Sequence, residues 1–158
     1  MKRFLFTVLC VLFLSGCGDD SRPKDLPALY PCSLTITQEG GKPLDGATVE
    51  LKPLDGGTRY NPLQFTDANG VAVMTTYTFN GVPAGKYKVL VTKNIEEETT
   101  TTDKNTGEPV VVGGAKYRYV EKIYSDVQTT PLEIEITGKE KKVVQTFDVG
   151  KAIKEGRF

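Results

Sequence analysis

Gly81-Val82-Pro83-Ala84-Gly85-Lys86-Tyr87-Lys88-Val89-Leu90-Val91 sets the period on which the rest of the chain is built. Two glycines and a proline make a turn. After it, Tyr87, Val89 and Val91 alternate with Lys86, Lys88 and Leu90. Successive side chains of a strand point to opposite faces, so a period of two marks a strand with one face in a core and one in water. The period recurs on both sides. Upstream, Leu34 and Ile36 alternate with Thr35 and Thr37, and Ala47, Val49 and Leu51 with Thr48, Glu50 and Lys52. Val71 and Val73 share a face. Downstream, Leu132, Ile134 and Ile136 alternate with Glu133, Glu135 and Thr137, and Val143, Gln145, Phe147 and Val149 close the series. No stretch after the first turns of the chain carries the 3.6-residue period of an amphipathic helix.

Turn chemistry separates these strands. Gly40-Gly41-Lys42-Pro43 and Asp45-Gly46 divide the first pair, and Asp55-Gly56-Gly57 follows the second strand. In Thr66-Asp67-Ala68-Asn69-Gly70 the Asp67 carboxylate is placed to cap a tight turn and Gly70 to take a positive φ. Asp67 and Asn69 are therefore read as turn residues before cation ligands. Short strands at this spacing predict an all-β fold, a seven-stranded antiparallel β-sandwich over residues 32–150. Roughly 120 residues can bury about two-thirds of their unfolded surface, enough for one core.

The stretch Gly41-Lys42-Pro43-Leu44-Asp45-Gly46-Ala47-Thr48-Val49-Glu50-Leu51 resembles the first hairpin of carboxypeptidase regulatory-like, or transthyretin-like, domains. The resemblance continues through Phe65-Thr66-Asp67-Ala68-Asn69-Gly70-Val71-Ala72 and through residues 81–91. In the family these read G-x-x-L-x-G-A-x-V, T-D-x-x-G and G-x-P-x-G-x-Y-x-V-x-V. Residues 33–92 are covered clearly, and residues 119–149 resemble the later part of small secreted bacterial members. The resemblance implies a transthyretin-like (prealbumin-like) sandwich with an Ig-like Greek key. It implies little about function, because the matching residues are turn and core positions. Hydroxyisourate hydrolase relatives use histidines and a C-terminal Tyr-Arg-Gly-Ser. This chain has no histidine and finishes Glu155-Gly156-Arg157-Phe158, so that activity is not expected.

Composition narrows the chemistry. Without histidine there is no Ser-His-Asp or Cys-His catalysis and no His-ligated metal. Three cysteines cannot make a Cys₄ zinc site. Lys and Arg number 20 and Asp and Glu number 20, so no basic field draws nucleic acid. No cofactor and no metal is expected.

Met1-Lys2-Arg3 followed by the apolar residues 4–14 reads as a secretory signal, too short to span a bilayer. It runs into Leu14-Ser15-Gly16-Cys17, which resembles a bacterial lipobox. That resemblance implies cleavage between Gly16 and Cys17, diacylglycerol on the Cys17 sulfur and acylation of the new N-terminus. Such chains anchor a protein without a membrane span. Gly18 after the cysteine favours the outer membrane, facing the periplasm, where the host has one. Cleavage removes Lys2 and Arg3 and no acidic residue, leaving a slightly acidic chain with no polybasic patch. Residues 18–31 hold three prolines and five charges and read as a tether, with residues 17–31 as lipidated cysteine and spacer. Fully extended, it reaches about 50 Å.

Residues 94–114 leave the strand rhythm. Glu96-Glu97-Glu98-Thr99-Thr100-Thr101-Thr102-Asp103 is polar, and Val110-Val111-Val112-Gly113-Gly114 is a short apolar piece. A loop insertion is expected here, either solvated and mobile or binding. Its acidic residues offer oxygen ligands for calcium without EF-hand spacing. Tyr117, Tyr119 and Tyr124 follow, candidates for stacking on a sugar, for a protein interface or for filling a sheet edge. Cys32 is the one thiol left beside the lipidated Cys17 in a mature chain. Lys139, Lys141 and Lys142 around Glu140 read as a soluble hairpin tip, and residues 151–158 as a tail. The function expected is a non-catalytic, envelope-anchored binding or structural module that meets another envelope protein through loops or a sheet edge. A cell-wall glycan-binding module using Tyr117, Tyr119 and Tyr124 is the first alternative. An enzyme working through a carboxylate pair is the second.

Overall fold

The computed structural model describes residues 22–54 and 60–156. In chain order the strands are β1 (Leu29–Tyr30), β2 (Cys32–Gln38), β3 (Lys42–Pro43), β4 (Thr48–Pro53), β5 (Leu63–Phe65), β6 (Val71–Val73), β7 (Thr75–Thr76), β8 (Phe79–Asn80), β9 (Val82–Pro83), β10 (Gly85–Thr92), β11 (Asn94–Thr102), β12 (Pro109–Arg118), β13 (Glu133–Ile136) and β14 (Val143–Asp148). One 3-10 turn, Lys122–Ser125, is the only helical piece among the described residues.

Two sheets face each other. The first has the order β13-β10-β4-β5; in the second β2 lies between β14 on one side and β3 and β6 on the other. Seven of these strands are three residues or longer, so the chain is an all-β sandwich with the expected strand number. The inward faces agree in register. Val89 lies opposite Leu51 and Val91 opposite Val49 on one side of β10, and Tyr87 lies opposite Ile134 on the other. Leu34, Ile36, Ala72 and Phe147 meet them from the second sheet, with Leu44, Met74, Val82 and Val120 closing the core. Tyr87 is fully buried, and its hydroxyl donates to the Pro83 carbonyl at 2.9 Å, so its burial leaves no polar atom unpaired.

The T-D-x-x-G stretch is a hydrogen-bonded lock between strands. The buried Thr66 hydroxyl donates to the Leu44 carbonyl at 2.5 Å and accepts the Ala47 amide at 2.8 Å. Asp67 Oδ1 accepts the amides of Asn69 and Val71, both at 2.9 Å. Gly70 has φ +73°, and its carbonyl accepts the Ile36 amide at 2.8 Å. Asp67 and Asn69 are turn residues in this arrangement.

Five expectations change. The sandwich has one parallel seam, β14 beside β2, with Val143 opposite Cys32 and Asp148 opposite Thr37. The stretch around Lys139, Lys141 and Lys142 is accordingly a crossover from one sheet to the other and not a hairpin tip, although those lysines are exposed as expected. The spacer is shorter than read. Leu26 is buried, Leu29 and Tyr30 pair with Pro83 and Val82, and Tyr30 packs on the core. Apolar side chains at positions 26, 29 and 30 have somewhere to go, and the prolines between them do not prevent short pairing. The tail is docked too, with Arg118 and Glu155 exchanging backbone hydrogen bonds at 3.0 and 3.1 Å. Last, residues 94–114 are not a loop but most of a long hairpin. Gly16 and Cys17, and Asp55-Gly56-Gly57, lie outside the described residues.

Candidate interaction surface

β11 and β12 pair antiparallel with each other from Asn94 opposite Arg118 to Thr102 opposite Pro109, with a bulge between Thr99 and Thr100. At about 3.4 Å per residue, the nine residues of β11 project close to 30 Å. The strands form because residues 99–102 are all threonine and residues 110–112 all valine, the β-branched types that suit a pleated strand. Both faces of the outer part meet water, so no apolar alternation marks them. The Asp103 amide donates to the Glu108 carbonyl at 2.8 Å, and Asp103 Oδ1 accepts the Asn105 amide at 2.7 Å, which closes the tip.

Charge is confined to the two ends of this hairpin. At its root Lys116 pairs with Glu96, and Lys154 reaches Glu97 with both oxygens within 2.7 Å. The Lys154 ammonium also sits 4.4 Å from the centre of the Tyr117 ring. Its pKa is raised, chiefly by the hydrogen bond it donates to Glu97. Between root and tip, residues 99–102 and 109–114 carry no charge. Val110, Val111 and Val112 are 43, 56 and 61% exposed. A Cβ on Gly113 would meet nothing within 4 Å, and one on Gly114 only the Glu97 carbonyl at 3.6 Å. Neither glycine has a positive φ, so internal packing does not require them. Among the described residues the edges of the hairpin are otherwise unpaired, except where Glu155 bridges Arg118 at the root.

The three tyrosines gather around that root. Tyr117 lies on β12 beneath Lys154, and Tyr119 follows it, its amide donating to the Lys93 carbonyl at 2.7 Å and its ring 5.2 Å from the Lys93 ammonium. Tyr124 lies in the 3-10 turn, and Tyr119 and Tyr124 pack against the core. Burial raises the Tyr124 phenol pKa, and Glu121 and Asp148 add to the shift. All three rings are half-buried, so they do not fan across one open face. An open depression of about 290 Å³ beside them is lined by Thr92, Asn94, Arg118, Val120 and Ser125.

Other candidates fall into place individually. Glu96 and Glu97 are paired with lysines and Asp103 caps its own turn, so the acidic residues do not converge. Among the described residues no three Asp, Glu or Cys side chains are grouped to hold a metal ion. Cys32 is a free thiol buried in the core, its pKa pushed up to about 11 by burial and eased slightly by Lys142. Among the described residues no helix is long and apolar enough to cross a membrane. Two further aromatic side chains, Phe65 and Tyr77, are 63 and 64% exposed. Tyr77 holds φ +55° in the β7–β8 turn, edge-on to Tyr60 at 5.4 Å. No signal in the sequence marks a tyrosine for that conformation, which more often falls to Gly or Asn.

No family model matches the chain, and no curated protein matches it. Among solved structures it is similar to the major pilin subunit of Bacillus cereus, with 20% identity and a TM-score of 0.44, covering 82% of this chain and 31% of that one. It is also similar to a 9R-lipoxygenase from Cyanothece, with 17% identity and a TM-score of 0.34, covering 77% of this chain and 16% of that one. The chain thus spans less than a third of either neighbour's length.

Proposed function

We propose that this chain is a lipid-anchored, non-catalytic module of the bacterial cell envelope that binds another protein through the β11–β12 hairpin. One observation carries the reading: a hairpin about 30 Å long whose middle is uncharged, β-branched and open on both edges. Isolated two-stranded sheets are marginal in water, and open uncharged edges are templates for strand addition. A hairpin of this kind serves a partner better than it serves its own fold. The lipobox-like Leu14-Ser15-Gly16-Cys17 supports anchoring through Cys17, on the outer membrane and facing the periplasm where the host has one. The spacer is then shorter than residues 18–31, because Leu26, Leu29 and Tyr30 are docked on the sandwich.

The test is a crosslinked pull-down from intact cells with a tag after Phe158. It compares the unaltered chain with Cys17→Ala and with a variant in which residues 96–116 are replaced by a short turn. A stoichiometric protein partner lost in both variants is the expected result. Capture of peptidoglycan or polysaccharide with no protein partner, unchanged by loss of the hairpin, would overturn the reading.

A further inference from the structure

We propose that the partner of the β12 edge is a second copy of this chain, the two β12 strands pairing antiparallel about a two-fold axis near Val112. This rests on the reading of the hairpin as an interaction surface and names its occupant. The argument is charge symmetry. β12 is preceded by the anionic Glu108 and carries the cationic Lys116 toward its other end, with no charge on residues 109–115 between them. Antiparallel self-pairing brings the anionic end of each strand to the cationic end of the other. Parallel self-pairing would set like against like. An isologous contact needs a surface complementary to itself, and an edge anionic at one end and cationic at the other has that property; Arg118, the second cation of β12, is already paired with Glu155 of its own chain. The β11 edge lacks it, because its charges, Glu96, Glu97 and Glu98, are all acidic and none of its other residues is charged.

The backbone fits the same contact. Gly113 and Gly114 leave the edge bare beside Val112, the bulge residue that no β11 residue faces, and glycine at such a bulge is a place where another backbone can come close. Pairing would join two hairpins into one four-stranded sheet, with Val112 beside its counterpart at the axis and Val110 and Val111 opposite the partner's glycines. A single seam of about eight residues a side covers less than the roughly 1,200 Å² of a standard stable interface. The dimer should therefore be weak and depend on concentration.

Sedimentation velocity of the purified chain at rising concentration tests this. The unaltered chain should pass from monomer to dimer across the micromolar range. Glu108→Lys alone and Lys116→Glu alone should each weaken association at least fivefold, because each sets like charges at both ends of the seam. An equimolar mixture of the two should dimerise as the unaltered chain does, since every cross-strand pair in the mixed dimer is again opposite in sign. The mixture matters because Lys116 also pairs with Glu96 of its own chain, an internal loss that mixing does not repair. Val144→Lys, on the exposed outer face of β14, should leave association unchanged. A chain that stays monomeric, a mixture that fails to restore the dimer, or equal loss with Val144→Lys would overturn the proposal. If the chain is monomeric while hairpin-dependent capture of a different protein persists, self-pairing fails and the broader reading stands.

Discussion

Replacing Gly70 by alanine should destabilise the sandwich about twice as much as the same change at Gly46, and the structure says why. Both residues hold positive φ, +73° and +62°. An L-residue in that region costs roughly 1–2 kcal/mol, and Gly46→Ala should cost only that, because its Cβ meets nothing within 4 Å. At Gly70 the Cβ would lie 2.4 Å from the Ile36 carbonyl oxygen and 3.0 Å from the Leu44 amide nitrogen. Relief requires moving β2 away from the turn. That strains the bond from the Ile36 amide to the Gly70 carbonyl at 2.8 Å and the bond from the Leu44 amide to the Ile36 carbonyl at 3.0 Å. Each is worth about 1 kcal/mol. The total for Gly70→Ala is then about 3–4 kcal/mol. For a domain of this size each kcal/mol lowers Tm by roughly 3–5 °C, so the melting point should fall by about 10–20 °C, against about 3–10 °C for Gly46→Ala. Thermal melts by circular dichroism with urea titrations read both quantities. Equal losses in the two variants, within about 0.5 kcal/mol, would refute the close approach of the turn to β2.

Further outcomes follow from the same contacts. Thr66→Val keeps the shape but strands the buried Ala47 amide and Leu44 carbonyl; urea titration should show a loss of about 2–4 kcal/mol, with Thr66→Ser recovering most of it. Cys32 should resist maleimide labelling at neutral pH until the protein unfolds, because it is buried and its thiol is held protonated. Its folded pKa, about 11, lies above the unfolded value near 9.0, so its contribution to stability is complete below pH 9 and fades as pH rises through 11. The stability difference between the native chain and Cys32→Val should therefore shrink over that window in urea titrations at stepped pH, and a constant difference would contradict the burial. Lys154→Ala removes both the Glu97 pair and the cation over Tyr117, so amide exchange at the hairpin root should quicken a few-fold while the β10 amides are unchanged.

The sandwich strands were legible because each buries one face. Val49, Leu51, Val89 and Val91 stand at alternate positions and meet across the register that their spacing implies. Leu90 shows the limit of that logic. It points to the outer face, yet it is buried, with the 3-10 turn and the Thr130 hydroxyl, bonded to the Val89 carbonyl at 2.9 Å, lying over β10. Only tertiary packing says that a covering segment returns there. The β11–β12 hairpin escaped notice because its outer residues are wet on both faces, so polarity carries no period even though threonine and valine favour strands. The parallel seam of β14 escaped for another reason: Val143, Phe147 and Val149 mark a buried face but carry nothing about direction. The tyrosines were found by residue type; Tyr117 and Tyr119 lie half-buried beneath Lys154 and Lys93, and Tyr124 packs on the core from the 3-10 turn, none of which their spacing in the sequence implies.

The role of the hairpin is most directly read by photo-crosslinking in intact cells, with a photoreactive residue at position 111 and, separately, at positions 135 and 144. Position 111 lies on the uncharged middle of the hairpin, and positions 135 and 144 lie on exposed parts of the two sheets. A discrete protein adduct from position 111, absent from 135 and 144, is the expected result. Adducts from 135 or 144 with none from 111 would place the contact on the body of the sandwich and leave the hairpin without the role assigned to it.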